Sequence, residues 1–320
     1  MSHPADHPLL HSIPDVSPEQ SAFYKENGFV VLECPSPELA QDLVEWTNEH
    51  LPHKTNAWLH YEEVDAQGGR TLTTTENFAD HHAGFGGLFR GPHMLRFLRT
   101  LLGEEMVLFK EKINYKAPHS GGFKAHTDAP AYITVPNIGR VVGARFCHSH
   151  AARERLLETS RDDRSRCPDR RKRLPRGKLI ASAASTTYSQ LQFNPQVVAG
   201  SHKVEIPVGA DHCLDDCWIA SQTWTPLHLA PGQFVVFDSH LAHRSAENNT
   251  NSGRAAIFAT YNALAGAGDK RAAYYADRRE LWPATADRKP DDDYAVGASI
   301  FGFATPMLSV DATAYKRMGL

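Results

Sequence analysis

The spacing of apolar and polar positions changes character along the chain, and each change predicts a different element. The segment "SPEQSAFYKENGFVVLECPSPELAQDLVEWTNEHL" reads as helix, short strand, helix. Ser17 can cap the first helix with Glu19 in its first turn, "GFVVLEC" is a strand, and Ser36 with Glu38 opens the second helix. In "GPHMLRFLRTLLG", Met94, Leu95, Leu98, Leu101 and Leu102 recur at helical intervals up to Gly103. These helices are expected to pack outside a sheet.

From "EMVLFKEKINYKAP" onward the period falls to two. Phe109, Glu111, Ile113 and Tyr115 fall on one side, and Lys110, Lys112, Asn114 and Lys116 on the other. A strand that aims three lysines and an asparagine together suits a β-barrel or jelly roll whose interior holds a ligand; a solvated strand face is the plainer alternative. Strands return in "TPLHLAPGQFVVFD", read as strand, Pro-Gly turn, strand, and in "GRAAIFATYN" after an Asn- and Ser-rich loop. Between these regions, 145–190 is dense in arginine, poor in apolar residues and broken by proline, which predicts an exposed loop or an insertion. No strand pair is legible between 139 and 196.

Length and composition narrow the class. With 320 residues, 41% of them hydrophobic, the chain can bury a large core, and it reads as one domain over 1–320 with a flexible leader at 1–16. A net charge of −3 gives no general attraction to nucleic acid or anionic membranes, so no nucleic-acid partner is expected, although the arginine run is the kind of patch that such a partner would use. No apolar stretch reaches the roughly 18 residues of a membrane span and no signal-peptide pattern opens the chain, so the expected location is the cytoplasm. Five cysteines (Cys34, Cys147, Cys167, Cys213, Cys217) form no paired framework. The expected partner is a small molecule; the sequence carries no signal for oligomeric state.

The candidate chemistry begins at "KAHTDAPAY". In an extended strand, residues i and i+2 share a face, so His126 and Asp128 would converge on one point where a divalent metal can sit. With 18 histidines in the chain, such a pair also arises by chance. A third ligand is available in "FDSHLAHRS" from His240 or His243, and two imidazoles with one carboxylate leave open positions on an octahedral ion such as Fe(II). Arg254, eleven residues after His243, follows a loop and begins a strand, from which a guanidinium could grip a carboxylate bidentately.

The segments "LFKEKINYKAPHSGGFKAHTDAPAY", "GSHK", "GQFVVFDSHLAHRSAENNTNSGRAAIFATYN" and "GDKRAAYYADRRELWP" together resemble the phytanoyl-CoA dioxygenase family of Fe(II)/2-oxoglutarate oxygenases. The resemblance implies a mainly β fold with flanking helices, a double-stranded β-helix or cupin-like jelly roll. It implies His126, Asp128 and His243 as iron ligands, Arg254 as the salt-bridge partner of 2-oxoglutarate, and Asn114 and Lys112 as further co-substrate contacts. Lys110, Phe123 and Tyr132 are then substrate-side residues, and His240 stands where relatives carry an aromatic, as a neighbour of the site or a surface residue. Asp128 sets the chain apart from halogenating relatives, which lack this carboxylate. The implied reaction is hydroxylation of a C–H bond with O2 and 2-oxoglutarate consumed and succinate and CO2 released. The branch resembled acts on small phosphonates such as 2-aminoethylphosphonate; secondary metabolites and acyl-CoA thioesters are the other substrate classes, the last disfavoured because "KRMGL" is not a peroxisomal address. The competing class is an inactive cupin-like relative that binds a metal or small ligand, expected if the 139–196 segment replaces strands of the barrel.

Overall fold

The computed structural model describes residues 15–33, 37–48, 57–64, 69–132, 135, 141–148, 195–209, 211–229, 233–251, 253–265 and 267–302. Residues 1–14 of the expected leader, the cap at Ser36 and nearly all of the arginine-rich segment lie outside the described residues, while Val16, at the end of that leader, is buried in the core.

Helix α1 (Pro18–Asn27) starts with a full capping box: Ser17 Oγ accepts from the Gln20 N–H, and the Gln20 side chain accepts from the Ser17 N–H. It ends at Gly28 with φ 81°, where a side chain would also collide with the His202 ring, so only glycine serves. Strand β1 (Phe29–Glu33) follows, then α2 (Pro37–Asn48), β2 (Leu59–Val64), β3 (Arg70–Glu76), α3 (Ala83–Arg90) and α4 (Pro92–Leu102). Helix α4 stops at Gly103 as its pattern predicts and buries Met94, Phe97, Leu98, Leu101 and Leu102, each worth about 1.5–3 kcal/mol of apolar burial.

The remaining strands are β4 (Met106–Lys116), β5 (Phe123–His126), β6 (Val141–His148), β7 (Pro195–Val197), β8 (Thr225–Pro226), β9 (Gln233–Asp238), β10 (His243–Ser245) and β11 (Arg254–Ala263), with helices α5 (Asp216–Ser221), α6 (Arg271–Leu281) and α7 (Ala295–Phe301). They form a seven-stranded sheet in the order β1-β9-β6-β11-β4-β3-β2 and a four-stranded sheet in the order β5-β10-β7-β8, with every pairing antiparallel. This is the mainly β, two-sheet jelly roll with flanking helices that the resemblance implies.

The N-terminal helices cover the outer face of the larger sheet. Leu39, Leu43, Phe85, Leu88, Phe89 and the α4 residues join Leu108, Ile113, Ala144, Val236 and Ile257 in one core cluster. The inner face faces the smaller sheet and is built on other rules. Cross-strand register aligns Glu76, Lys112, Phe258 and Arg145 in one row across four strands, because directly opposed residues of an antiparallel pair share a face.

Three expectations need correction. Phe109 does not lie on the Glu111 and Ile113 side: the register shifts between Thr260 and Tyr261, leaving Phe109 as the extra residue of a β-bulge. Leu108 therefore faces the helices, while Phe109 packs with Tyr132 and Tyr274. The 145–190 boundary is also too early, since 145–148 belong to β6, which lies between β9 and β11 inside the larger sheet. Finally, "TPLHLA" supplies a strand of only two residues, Thr225 and Pro226, at the edge of the smaller sheet.

Candidate metal centre and adjoining cavity

The two ligand-bearing segments are stitched together through the backbone. His243 on β10 pairs directly with His126 on β5, and their ring centroids lie 4.2 Å apart. Strand β5 ends at His126, so Asp128 sits in the following bend and not in a strand as expected. Its convergence with His126 is enforced instead by the Asp128 and Ala129 N–H groups, which donate to the Ser239 carbonyl at 2.9 and 3.1 Å. The "GSHK" motif braces the same place from behind: buried Ser201 Oγ accepts from the Ala242 N–H at 2.9 Å, one residue before His243.

His126, Asp128 and His243 offer one ligand atom each, all within 4.8 Å of one another. Each imidazole donates from Nδ1–H to the carbonyl two residues before it, His126 to Lys124 at 2.7 Å and His243 to Leu241 at 2.9 Å. A carbonyl can only accept, so the tautomer is fixed and Nε2 carries the lone pair of each ring, the form that ligates a metal. These Nε2 atoms lie 3.8 and 3.9 Å from Asp128 Oδ1. Burial pushes both imidazoles toward the neutral, ligating form, with His126 down to about 3 through burial and then the neighbouring His243. Burial alone would raise the Asp128 carboxyl, but His243, Lys112, His126 and Lys110 around it hold it below its ordinary value and keep it ionised. Neutral nitrogens, one anionic oxygen and a space of about 20 Å3 fit a divalent ion.

The triad cavity is also lined by Lys112, Asn114, Phe123, Arg145 and Phe258. Lys112, Asn114 and Phe123 line a second, larger cavity of about 90 Å3 as well, so the two spaces adjoin at these residues. Its far wall comes from the β2–β3 hairpin and the α6–α7 region: Tyr61, Glu63, Thr74, Glu76, Arg278 and Trp282 among them. Phe258 is flanked by two cations, with Lys112 Nζ 5.1 Å and the Arg145 guanidinium 4.4 Å from its ring centre.

The other expected residues fall in three places. Lys110 and Tyr132 are buried behind the cavity walls; Lys110 Nζ lies 4.8 Å from the Tyr132 ring centre and 5.3 Å from that of Tyr274. Burial, then the neighbouring Lys112, lowers the Lys110 ammonium to about 7. His240 is exposed and bonded to Asp238 at 3.3 Å, the surface alternative of the two expected for it. Arg254 opens β11 opposite Lys116, and its side chain lies outside the described residues.

Sequence reasoning missed Arg145, Phe258, Glu76 and Arg278. Arg278 had a legible signal, since Arg271, Tyr274, Tyr275 and Arg278 recur at i, i+3, i+4 and i+7 and form the buried face of α6. Glu76 closes a polar run, "RTLTTTE", with no such signal.

Comparison with known proteins bears on this site. Residues 195–256 match the family model "Phytanoyl-CoA dioxygenase (PhyH)". The chain is 31% identical over 293 residues to a 2-aminoethylphosphonate dioxygenase of Uncultured bacterium HF130_AEPn_1, covering 90% of this chain and 97% of the relative. It is 30% identical to a methylphosphonate hydroxylase of Gimesia maris, covering 80% and 84%. The fold is similar to that of EctD from S. alaskensis, solved with 2-oxoglutarate and 5-hydroxyectoine, at a TM-score of 0.56 and 18% identity over 81% of this chain and 82% of that one. Extended identity to two curated oxygenases, the family-model match and a shared two-sheet fold agree with the motifs read from the sequence, and the chain belongs to the phytanoyl-CoA dioxygenase family of non-haem Fe(II)- and 2-oxoglutarate-dependent oxygenases.

Proposed function

We propose that the protein hydroxylates a C–H bond of a small phosphonate, with His126, Asp128 and His243 holding the iron. The observation that carries the reading is a metal-ligating triad opening onto a small cavity through a lysine, in a chain whose curated relatives are named for 2-aminoethylphosphonate and methylphosphonate. The adjoining space, about 90 Å3, is well below the several hundred Å3 of a drug-sized site and disfavours an acyl-CoA.

Iron held by these three residues, together with 2-oxoglutarate, would supply the oxidising chemistry, in which O2 and 2-oxoglutarate are consumed, succinate and CO2 are released and one oxygen atom reaches substrate carbon. The chain's own residues do the rest. The Nδ1–H bonds to the Lys124 and Leu241 carbonyls keep both imidazoles aimed at the ion. Arg145, already in the triad cavity, meets a co-substrate carboxylate together with Arg254 and Asn114. Lys112 lies where the two cavities meet and neutralises an anionic group close to the ion. Phe123 and Phe258 keep bulk water from the reacting carbon. Lys110 and Tyr132, one layer back, set the charge and shape of the wall.

Succinate formation by anaerobically purified protein given Fe(II), ascorbate, O2 and 2-oxoglutarate tests the reading. Stimulation by 2-aminoethylphosphonate or methylphosphonate, absent in His126→Ala, is the expected result. Succinate that no phosphonate increases would remove the substrate assignment and leave the oxygenase.

A further inference from the structure

A residue lining the larger cavity carries a buried acceptor with no hydrogen-bond partner. Glu76, at the end of β3, is 3% exposed, and its Oε1 accepts from Arg278 at 2.8 Å. Its Oε2, buried in a residue that lines the cavity, has no hydrogen-bond partner. A buried carboxylate oxygen without a donor is costly, and such a group calls for a specific explanation, of which a ligand that completes it is one. Glu76 is also the direct cross-strand neighbour of Lys112. Among the described residues no ion pair joins them, and Lys112 Nζ makes its close contact with the Phe258 ring. The row therefore presents a carboxylate and a cation side by side, coupled through charge but without a direct hydrogen bond between them among the described residues. Directly opposed residues of an antiparallel pair stand roughly 5 Å apart, the scale of the separation between an ammonium and a phosphonate across a two-carbon bridge.

We infer that Glu76 is the specificity-determining residue for a zwitterionic substrate: its Oε2 accepts a hydrogen bond from the substrate ammonium while Lys112 meets the anionic end nearer the metal. The inference rests on the phosphonate reading above and sharpens it from a phosphonate to an aminophosphonate. The Arg278 guanidinium, 4.6 Å from the ring centres of both Tyr61 and Phe301, holds Glu76 in place from the other side. Two cations thus flank one carboxylate, leaving its second oxygen for a third.

The test compares 2-aminoethylphosphonate with ethylphosphonate, which lacks only the amine, through phosphonate-stimulated succinate formation by the wild-type enzyme and Glu76→Gln, with thermal melting of each. A charged hydrogen bond made only by the amine predicts that the wild type favours 2-aminoethylphosphonate by about thirtyfold in KM, and that Glu76→Gln brings the two within about threefold. The ratio within one variant cancels any general loss of folded enzyme; should Glu76→Gln not fold, Glu76→Asp, which keeps the charge and draws it back, is expected to weaken the amine preference in the same direction. An unchanged ratio in a folded variant overturns the role of Glu76 and leaves the phosphonate reading standing, as does a wild type indifferent to the amine. Failure of both phosphonates to stimulate succinate overturns both.

Discussion

On the outer face of β4, Glu111 is fully buried and fully satisfied: it receives Arg271 through two guanidinium nitrogens and the Ala79 N–H at 2.7 Å, while Arg271 also bonds Asn77 at 3.0 Å and Asp80 at 3.1 Å. One residue away on the inner face, Lys110 and Lys112 make their close contacts with aromatic rings while the Asp128 and Glu76 carboxylates act on them through charge, and Glu76 keeps an oxygen without a donor. Both systems bury charge in the same sheet, and helix α6 serves both, sending Arg271 to the first and Arg278 to the second. The difference separates scaffold from site: a charge network that closes on itself holds strands and helix together, whereas one left open is completed by something from outside.

The comparison is broken most severely at its catalytic end. His126→Ala removes a metal ligand, so the turnover loss should exceed the roughly 10–100-fold that follows loss of a residue merely supporting a ligand, and iron retention measured by metal analysis should fall with it. Next come paired substitutions on the two faces of β4. Glu111→Ala removes the buried partner of Arg271, leaving it Asp80 and Asn77, and should cost about 3 kcal/mol in chemical denaturation. Lys112→Met should leave stability unchanged or raised while phosphonate turnover falls by about 10–100-fold. Equal destabilisation by both would erase the distinction between closed and open networks.

A smaller effect is visible in pH. The Lys110 ammonium titrates near 7 when folded against an ordinary value of 10.5, so between these limits the unfolded chain binds the extra proton. Its contribution to stability is therefore fully present above the ordinary value and is lost as pH falls through about 7. Melting temperatures of Lys110→Met and wild type should accordingly diverge as pH falls from 9 to 6.5, with the variant relatively more stable at the lower end. The smallest effect is expected at His240, exposed and bonded to Asp238, where replacement by alanine should stay within about 0.5 kcal/mol and leave turnover intact.

Much of the site was legible in the residues because its constraints are local or carried by motif. The alternation that aims Lys110, Lys112 and Asn114 inward and the helical face of α4 depend on backbone periodicity, which sequence displays directly, whereas His126 and Asp128 were legible as a motif although Asp128 lies in a bend beyond the strand. Strand β6 was hidden because its short pattern runs into the arginine-rich segment, and the β2–β3 hairpin because its polar residues line a cavity where a core strand would show apolar ones. The bulge at Phe109 left no mark, since it arises from the register with β11 and not from a residue preference.

The sequence by itself determined the family, the metal-ligand types and which face of β4 is polar, since each is written in spacings of a few residues. Only the tertiary structure decided that Asp128 is positioned by the Ser239 carbonyl, that Arg145 and Glu76 join Lys112 in one row, and that Glu111 is closed while Glu76 is open. The physical reason is that a buried charge takes its role from the partners that reach it, and here those partners come from strands and a helix far apart in the chain.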